Sequence, residues 1–369
     1  MDGDQANTLN ANDQAVTPSD AIDARWMTGF LRDLGHDVEV ASVEDEVIGT
    51  GQMAQNRRFS LTYSEWDGSA PASFVGKFPS PEATSRRTGG LGAYLKEVSF
   101  YREIRPTVGI RTPTVHRVEY DPDTSDFLLM MEDMAPALQG DQMAGCSLEE
   151  AEVAMEEIAR LHAPRWGDPS LDDYAFLAGR RGASLNREAY TMLWHGFLGR
   201  YRDILEPDLI DLGRRLETRF GTYSRLYPGP RTVTHGDFRL DNTLLGTAEG
   251  RPTVAVVDWQ TVGLGCGTLD VAYFIGAGLL PDLRRQHERD LLQRYHEALK
   301  AGGVRDYSED QLWHDYRWYA YAGYVMAVVA TTLVVQTERG DEMFLTMARR
   351  HGLHAMELES EKLLDEADG

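Results

Sequence analysis

The hydrophobic period of this chain changes once along its length, and that change limits the folds open to it. Short strand-like runs fill the first third: Val38–Val43, Arg58–Tyr63, which alternates with Phe59, Leu61 and Tyr63 on one face, the apolar Ser73–Phe78, Thr114–Tyr120 and the apolar Phe127–Met131. Alternation predicts half-buried strands, and Asp67-Gly68 and Asp121-Pro122-Asp123 are turn signals between them. A helix is expected among these strands from Gly89 to Arg105. From Ser147 onward, apolar residues recur at helical spacing. Leu148–His162 has Ser147 as cap and Glu150 three residues later, and Arg187–Tyr223, Leu283–Ala301 and Ser308–Gln336 follow. A single strand–loop–strand segment, 231–258, interrupts the helices. The order predicts an α+β chain: a small antiparallel β-sheet N-lobe with one inserted helix (19–133) and a larger, mainly helical C-lobe (134–356).

The ends read differently. Residues 1–18 are polar, without Lys, Arg or aromatics, and predict a disordered acidic tail; the acidic 357–369 end is expected to fray likewise. Thr17-Pro18-Ser19-Asp20 reads as a helix start, with Ile22, Trp26 and Phe30 on one helical face and Gly35 as the stop.

The sharpest chemistry lies in Thr232-Val233-Thr234-His235-Gly236-Asp237-Phe238-Arg239-Leu240-Asp241-Asn242-Thr243-Leu244-Leu245. Here a carboxylate and an amide stand five residues apart in a polar loop flanked by apolar runs. Sixteen residues after Asn242, the apolar run Thr253–Val257 ends directly in Asp258, which a buried strand would present rigidly. Phosphoryl transfer needs such a set: one Asp to orient and deprotonate a hydroxyl, and hard oxygens from an Asn and an Asp to hold magnesium against nucleotide phosphates. The order H-x-D-x4-N, a strand, then Asp is a kinase pattern. A capped turn whose Asp and Asn only satisfy backbone groups explains any one of these residues, but not the ordered set.

His235-Gly236-Asp237-Phe238-Arg239-Leu240-Asp241-Asn242, followed by Asp258-Trp259-Gln260, resembles the aminoglycoside phosphotransferase and choline kinase-like superfamily. The likeness spans roughly residues 21–350. It implies a two-lobed protein kinase-like fold that phosphorylates hydroxyls of small molecules from ATP or GTP. It further implies Asp237 as catalytic base, Asn242 and Asp258 as Mg²⁺ ligands, His235 as a support of the loop, and Asp270 as a brace beneath it. Asp241 could touch metal, but is read as a solvated turn carboxylate. His162 is read as a packing residue.

The N-lobe supplies candidates for the nucleotide. Gly49-Thr50-Gly51-Gln52-Met53-Ala54 fits G-x-G-x-x-A, but strand-like alternation follows it where a dinucleotide fold needs a helix. A hairpin loop over phosphates, with Gly49, Gly51 and Gln52 in contact, is the expectation. No G-x-x-x-x-G-K-[ST] occurs. Lys77 lies in the apolar run Phe74–Phe78. Glu97 shares a helical face with Phe100, Tyr101 and Ile104, and a carboxylate there wants a cation. A Lys77–Glu97 pair would put the ammonium on the phosphates; Glu103, or Glu97 turned toward Arg102, is the rival. Met131, Glu132 and Asp133 sit at the expected lobe junction and, by resemblance, would hold the adenine edge; Glu132 and Asp133 read equally as exposed linker.

Composition narrows the partners. The chain has 369 residues, 42% hydrophobic and 26% charged, with a formal charge of −22, which argues against nucleic acid or an anionic membrane as partner. The longest apolar stretch, Ala320–Val335, is shorter than the ~20 residues of a membrane span and reads as a buried helix. Cys146 and Cys266 have no metal or disulfide spacing, no secretory signal is visible, and a cytoplasmic protein is the expectation. Eleven residues separate Asp258 from Asp270, and no A-P-E follows, so a small-molecule hydroxyl acceptor is expected and no protein substrate. Trp313, Tyr316, Trp318, Tyr319, Tyr321 and Tyr324 could wall an acceptor but read better as core. A nucleotide-binding pseudokinase scaffold is disfavoured because every expected polar group is present. A metal-dependent phosphohydrolase using Asp237, Asp241 and Asp258 leaves Lys77 and the glycine loop without a role.

Overall fold

The computed structural model describes residues 15–49, 53–177, 185–225, 227, 229–333 and 336–368. The chain divides into two units, Met1–Pro106 with Thr112–Ala135, and Thr107–Arg111 with Pro136–Gly369.

The first unit is built on an antiparallel sheet. Its elements are α1 (Ala24–Asp33), β1 (Glu39–Ile48), β2 (Ala54–Glu65), β3 (Ser73–Pro79), α2 (Ala83–Gly90), α3 (Ala93–Ser99), β4 (Val115–Tyr120) and β5 (Phe127–Glu132). The strand order is β1-β2-β3-β5-β4, so β3 and β5 are interior strands. Phe30, Phe59, Phe74, Phe78, Leu128 and Met130 form its core. The first helix starts later than its sequence predicts. Asp23 is the true cap, its carboxylate accepting the Trp26 N–H, whereas Ser19–Ala21 closes only one tight turn and Pro18 offers no side-chain acceptor. The last residues of the expected tail are ordered: the Thr17 N–H and hydroxyl donate to the Glu119 carboxylate at 2.6 and 3.2 Å. The helix expected from Gly89 to Arg105 is interrupted at Gly92, whose φ of +137° suits only glycine. A π-helical turn at Phe100–Ile104 then follows α3.

The second unit is mainly helical. It holds β6 (Leu138–Gln139), α4 (Leu148–His162), α5 (Arg187–Tyr201), α6 (Pro207–Tyr223), β7 (Thr232–Thr234), β8 (Thr243–Ala248), β9 (Arg251–Val256), β10 (Gly263–Gly265), α7 (Thr268–Gly278), α8 (Pro281–Ala301), α9 (Glu309–Tyr319), α10 (Ala322–Leu333), α11 (Glu338–Glu357) and α12 (Ser360–Asp368). The predicted α4 is present with its full capping box, Ser147 and Glu150 bonding reciprocally. Two predicted helices are each two. Arg187–Tyr223 breaks before Pro207, which has no N–H to continue α5 and instead opens α6. Ser308–Gln336 breaks after Tyr319; α9 packs chiefly on α7, and α10 chiefly on α11 and α5 with a smaller share on α7. The 357–369 end does not fray throughout. In α12, Leu363 and Leu364 are buried, and Glu361 accepts from Arg215 and Arg219 of α6 at 2.9 and 2.7 Å. Tyr316, Tyr321 and Tyr324 are core residues, as their spacing suggests. No helix among the described residues is long and apolar enough to cross a membrane.

Candidate active site

The polar loop hangs between β7, paired with β10, and β8, paired with β9. A fully buried carboxylate supports it from below. Asp270, in the first turn of α7, accepts the His235 N–H on Oδ2 at 2.7 Å and the Gly236 N–H on Oδ1 at 2.8 Å. His162 Nε2 stands 3.2 Å from the same Oδ2, and the other ring nitrogen of His162 meets the Tyr295 hydroxyl at 2.9 Å. His162 is thus more than packing, since it holds the carboxylate that holds the loop. Gly236 is required here. Its φ is +81°, and a Cβ would stand 2.7 Å from the Thr261 carbonyl oxygen.

His235 ties the loop to the strand before Asp258. Its Nε2 donates to the Val257 carbonyl at 3.0 Å, which leaves Nδ1 to accept the Asp237 N–H at 3.3 Å. Next to it, the Val257 N–H donates to the Asn242 carbonyl at 3.0 Å. The chain then turns at Asp258 with φ +66° and ψ +70°, a left-handed conformation that costs a non-glycine residue on the order of 1 kcal/mol or more. Such strain is stored where a side chain must be aimed.

Asn242 and Asp237 are locked together. The Asn242 Nδ2 donates to both the backbone carbonyl and Oδ2 of Asp237, at 2.9 Å each. That fixes the amide orientation and leaves Oδ1 as the amide atom not engaged by Asp237. Asp237 Oδ2 also accepts from Arg239 Nε at 3.2 Å, and Oδ1 accepts from the Tyr273 hydroxyl at 2.8 Å. Arg239 pairs in turn with Asp241, whose other oxygen accepts the Gln142 N–H at 3.0 Å. Asp241 is therefore not a solvated turn carboxylate but a braced partner of Arg239. Burial opposes the Arg239 charge, yet Asp237 and Asp241 more than offset it and hold the guanidinium above the usual arginine range. Burial, and then the charge of Asp237, lift the Tyr273 hydroxyl far above the ordinary tyrosine value, so it stays a donor.

In the first unit, Lys77 on β3 and Glu97 on α3 form a buried ion pair, with Nζ 2.7 Å from Oε1. The rival reading fails for Arg102, whose Nη2 goes to the Val118 carbonyl at 3.2 Å. Gly49 has φ +74°; Gly51 and Gln52 lie outside the described residues. Met131 and Glu132 are both in register with β3, opposite Val75 and Phe74. The Glu132 N–H donates to the Thr114 carbonyl at 2.8 Å, and its carboxylate accepts the Thr114 N–H at 3.1 Å. Asp133 is no exposed linker: it accepts from Arg58 and Ser73 at 2.7 Å each and from the Ala135 N–H. Although burial opposes it, those donors hold its carboxyl below the usual range.

Solved structures of low sequence identity share this architecture. Aminoglycoside 2'-phosphotransferase-IIIa in a GDP complex is 14% identical, with a TM-score of 0.52 over 89% of this chain and 97% of that one. An ethanolamine kinase from Plasmodium vivax is 13% identical, with a TM-score of 0.52 over 88% and 85%. The GDP and kanamycin complex of APH(2")-IIia is 14% identical, with a TM-score of 0.50 over 93% and 98%. The chain shares its fold with these aminoglycoside phosphotransferases and with this ethanolamine kinase. A model of the ecdysteroid kinase-like family matches residues 218–304. No curated protein matches the chain by sequence.

The family-matched segment of this kinase-like fold contains Asp237, Asn242, Asp258 and Asp270, together with two residues that sequence reasoning missed, Arg239 and Tyr273. Arg239 carried a weak signal, standing two residues from an acid on either side. Tyr273 carried none, because in the apolar run Val271–Ile275 a tyrosine reads as core.

Proposed function

We propose that this protein moves the γ-phosphoryl group of ATP or GTP to a hydroxyl of a small molecule. The observation that carries the reading is the Asn242–Asp237 lock, coupled through Val257 to the strained Asp258. In this reading Asp237 is the catalytic base that takes the acceptor's proton, and Asn242 keeps its carboxylate oriented. Asn242 and Asp258 would hold Mg²⁺. Among the described residues no group of three or more His, Cys, Asp or Glu could hold a metal ion. An Asn oxygen and a carboxylate completed by phosphate oxygens is nevertheless the form that suits magnesium. When bound, the ion would neutralise charge on the transferring phosphates. Lys77, braced by Glu97, would contact the α- and β-phosphates, and the Gly49–Gly51 loop with Gln52 would lie over them. Of the three junction residues, Met131 and Glu132 would offer backbone to the base, and Asp133 would act only as a brace.

The short stretch between Asp258 and Asp270, one turn plus β10, supports a small acceptor over a peptide. The kanamycin complex, the ethanolamine kinase and the ecdysteroid kinase-like family suggest a starting panel of an aminoglycoside, an amino alcohol and a steroid alcohol. Calorimetric titration of ATP and GTP, with and without Mg²⁺, tests the nucleotide site. Magnesium-dependent binding by the wild type that is lost in Asp258→Ala supports the reading; no binding of either nucleotide sinks it.

A further inference from the structure

The carboxylate of Asp237 has more than one face, and the structure divides them unequally. Each carboxylate oxygen offers about two lone pairs. Oδ2 accepts two donors, Asn242 Nδ2 at 2.9 Å and Arg239 Nε at 3.2 Å. Oδ1 accepts one, the Tyr273 hydroxyl at 2.8 Å. Among the described residues, Oδ2 thus meets two donors and Oδ1 one, which leaves Oδ1 able to accept a further donor.

Tyr273 is itself held in place from behind. Its ring is fully enclosed on α7 and stacks on His351 of α11, with centroids 5.3 Å apart and planes 29° apart. His351 fits there only because two helices carry glycine against it. A Cβ on Gly276 of α7 would stand 2.5 Å from its Nδ1, and one on Gly323 of α10 would overlap its ring outright. Three helices thus converge on one imidazole, and that imidazole backs the tyrosine whose hydroxyl reaches Asp237. A tyrosine needed only to fill the core could be phenylalanine; the structure uses its hydroxyl at one place.

We propose that Tyr273, backed by His351, is a positioning residue that aims the remaining lone pair of Asp237 Oδ1 at the acceptor hydroxyl. This deepens the phosphotransfer reading and rests on it. In the step, the acceptor oxygen bonds the γ-phosphorus of the nucleoside triphosphate. The bond from that phosphorus to the β,γ-bridging oxygen breaks, and its electron pair leaves with the nucleoside diphosphate. The acceptor's proton passes to Asp237 Oδ1. Oδ2, already occupied by Asn242 and Arg239, takes no part in the proton transfer.

The test uses the full chain, Tyr273→Phe and, as a reference, Asp237→Asn, with MgATP as donor and water as the probe acceptor. Tyr273→Phe removes one oxygen and keeps the stack on His351. The expected result is a kcat for ATP turnover lowered about tenfold to a hundredfold, with KM for MgATP and calorimetric affinity unchanged. Crystal structures of the wild type and Tyr273→Phe should show the Asp237 carboxylate rotated in the variant. An undiminished kcat, or a carboxylate that stays in place, overturns the proposal. If water proves too poor an acceptor to give a rate, the carboxylate's orientation decides alone. A wild type that binds no MgATP refutes the phosphotransfer reading itself, and this inference with it. Wild-type binding beside an unaffected Tyr273→Phe refutes only the inference.

Discussion

The Asn242 amide donates to Asp237 twice, once to its backbone carbonyl and once to its carboxylate, at 2.9 Å each. One side chain therefore fixes the orientation of the proposed base and leaves its own oxygen for a ligand. Asn242→Ala removes both effects. Magnesium-dependent nucleotide binding should weaken at least tenfold, and turnover should fall further still, because the base loses its orientation. Titration calorimetry and steady-state rates on the same preparation check this. Equal losses in binding and turnover would mean the amide serves the metal alone.

The brace under the loop is a stability element. Asp270 is fully buried and accepts two backbone N–H groups, with His162 against the same carboxylate. Asp270→Ala leaves those donors unpaired and should cost about 3 kcal/mol or more of unfolding free energy. Urea denaturation measures it. A loss under ~1 kcal/mol would contradict the assignment.

For the buried pair, single and double substitutions separate stability from binding. Lys77→Met leaves Glu97 charged and enclosed, which should cost about 3–5 kcal/mol. Adding Glu97→Gln should recover most of that loss. Nucleotide affinity should stay low in both, because the ammonium is gone. Affinity restored in the double variant would remove Lys77 from the phosphate site.

Acid should weaken the second unit through His351. Burial, then the neighbouring His354 and Arg284, push its pKa well below 6.5. The unfolded chain therefore binds a proton that the folded chain refuses. The contribution is intact above pH 6.5 and is lost as the pH falls below it, at up to about 1.4 kcal/mol per pH unit. Urea midpoints between pH 7.5 and 5 should drop, and the drop should be shallower in His351→Gln. Parallel slopes would show that other groups govern the acid response.

How much of this was legible in the sequence depended on how far apart the partners lie. Short apolar or alternating runs marked all five strands of the first sheet: β2 alternates, while the interior β5 is buried at five consecutive positions and reads as a continuous apolar run. The capping box at Ser147 is a local pattern and was legible, and so was the order of His235, Asp237 and Asn242 in the loop, although Asp241 proved to be a partner of Arg239 and not a solvated carboxylate. Lys77 with Glu97 was readable because a lone charge on an apolar face demands a partner. Breaks set by tertiary packing were not, as at Tyr319, nor was the ordered 360–368 helix, where the acids masked Leu363 and Leu364. Arg239 and Tyr273 stayed hidden for the same reason. The contact of Tyr273 exists only once α7 is folded against the loop, whereas Arg239 left a faint local trace in the acids two residues to either side.

The most direct test of the phosphotransfer account is transfer of a labelled γ-phosphoryl group from MgATP across the hydroxyl panel, in wild type and Asp237→Asn. The account predicts labelled product from at least one hydroxyl compound with the wild type. It predicts none with Asp237→Asn, although that variant binds MgATP with unchanged affinity. Transfer that survives in Asp237→Asn would contradict the account at its centre.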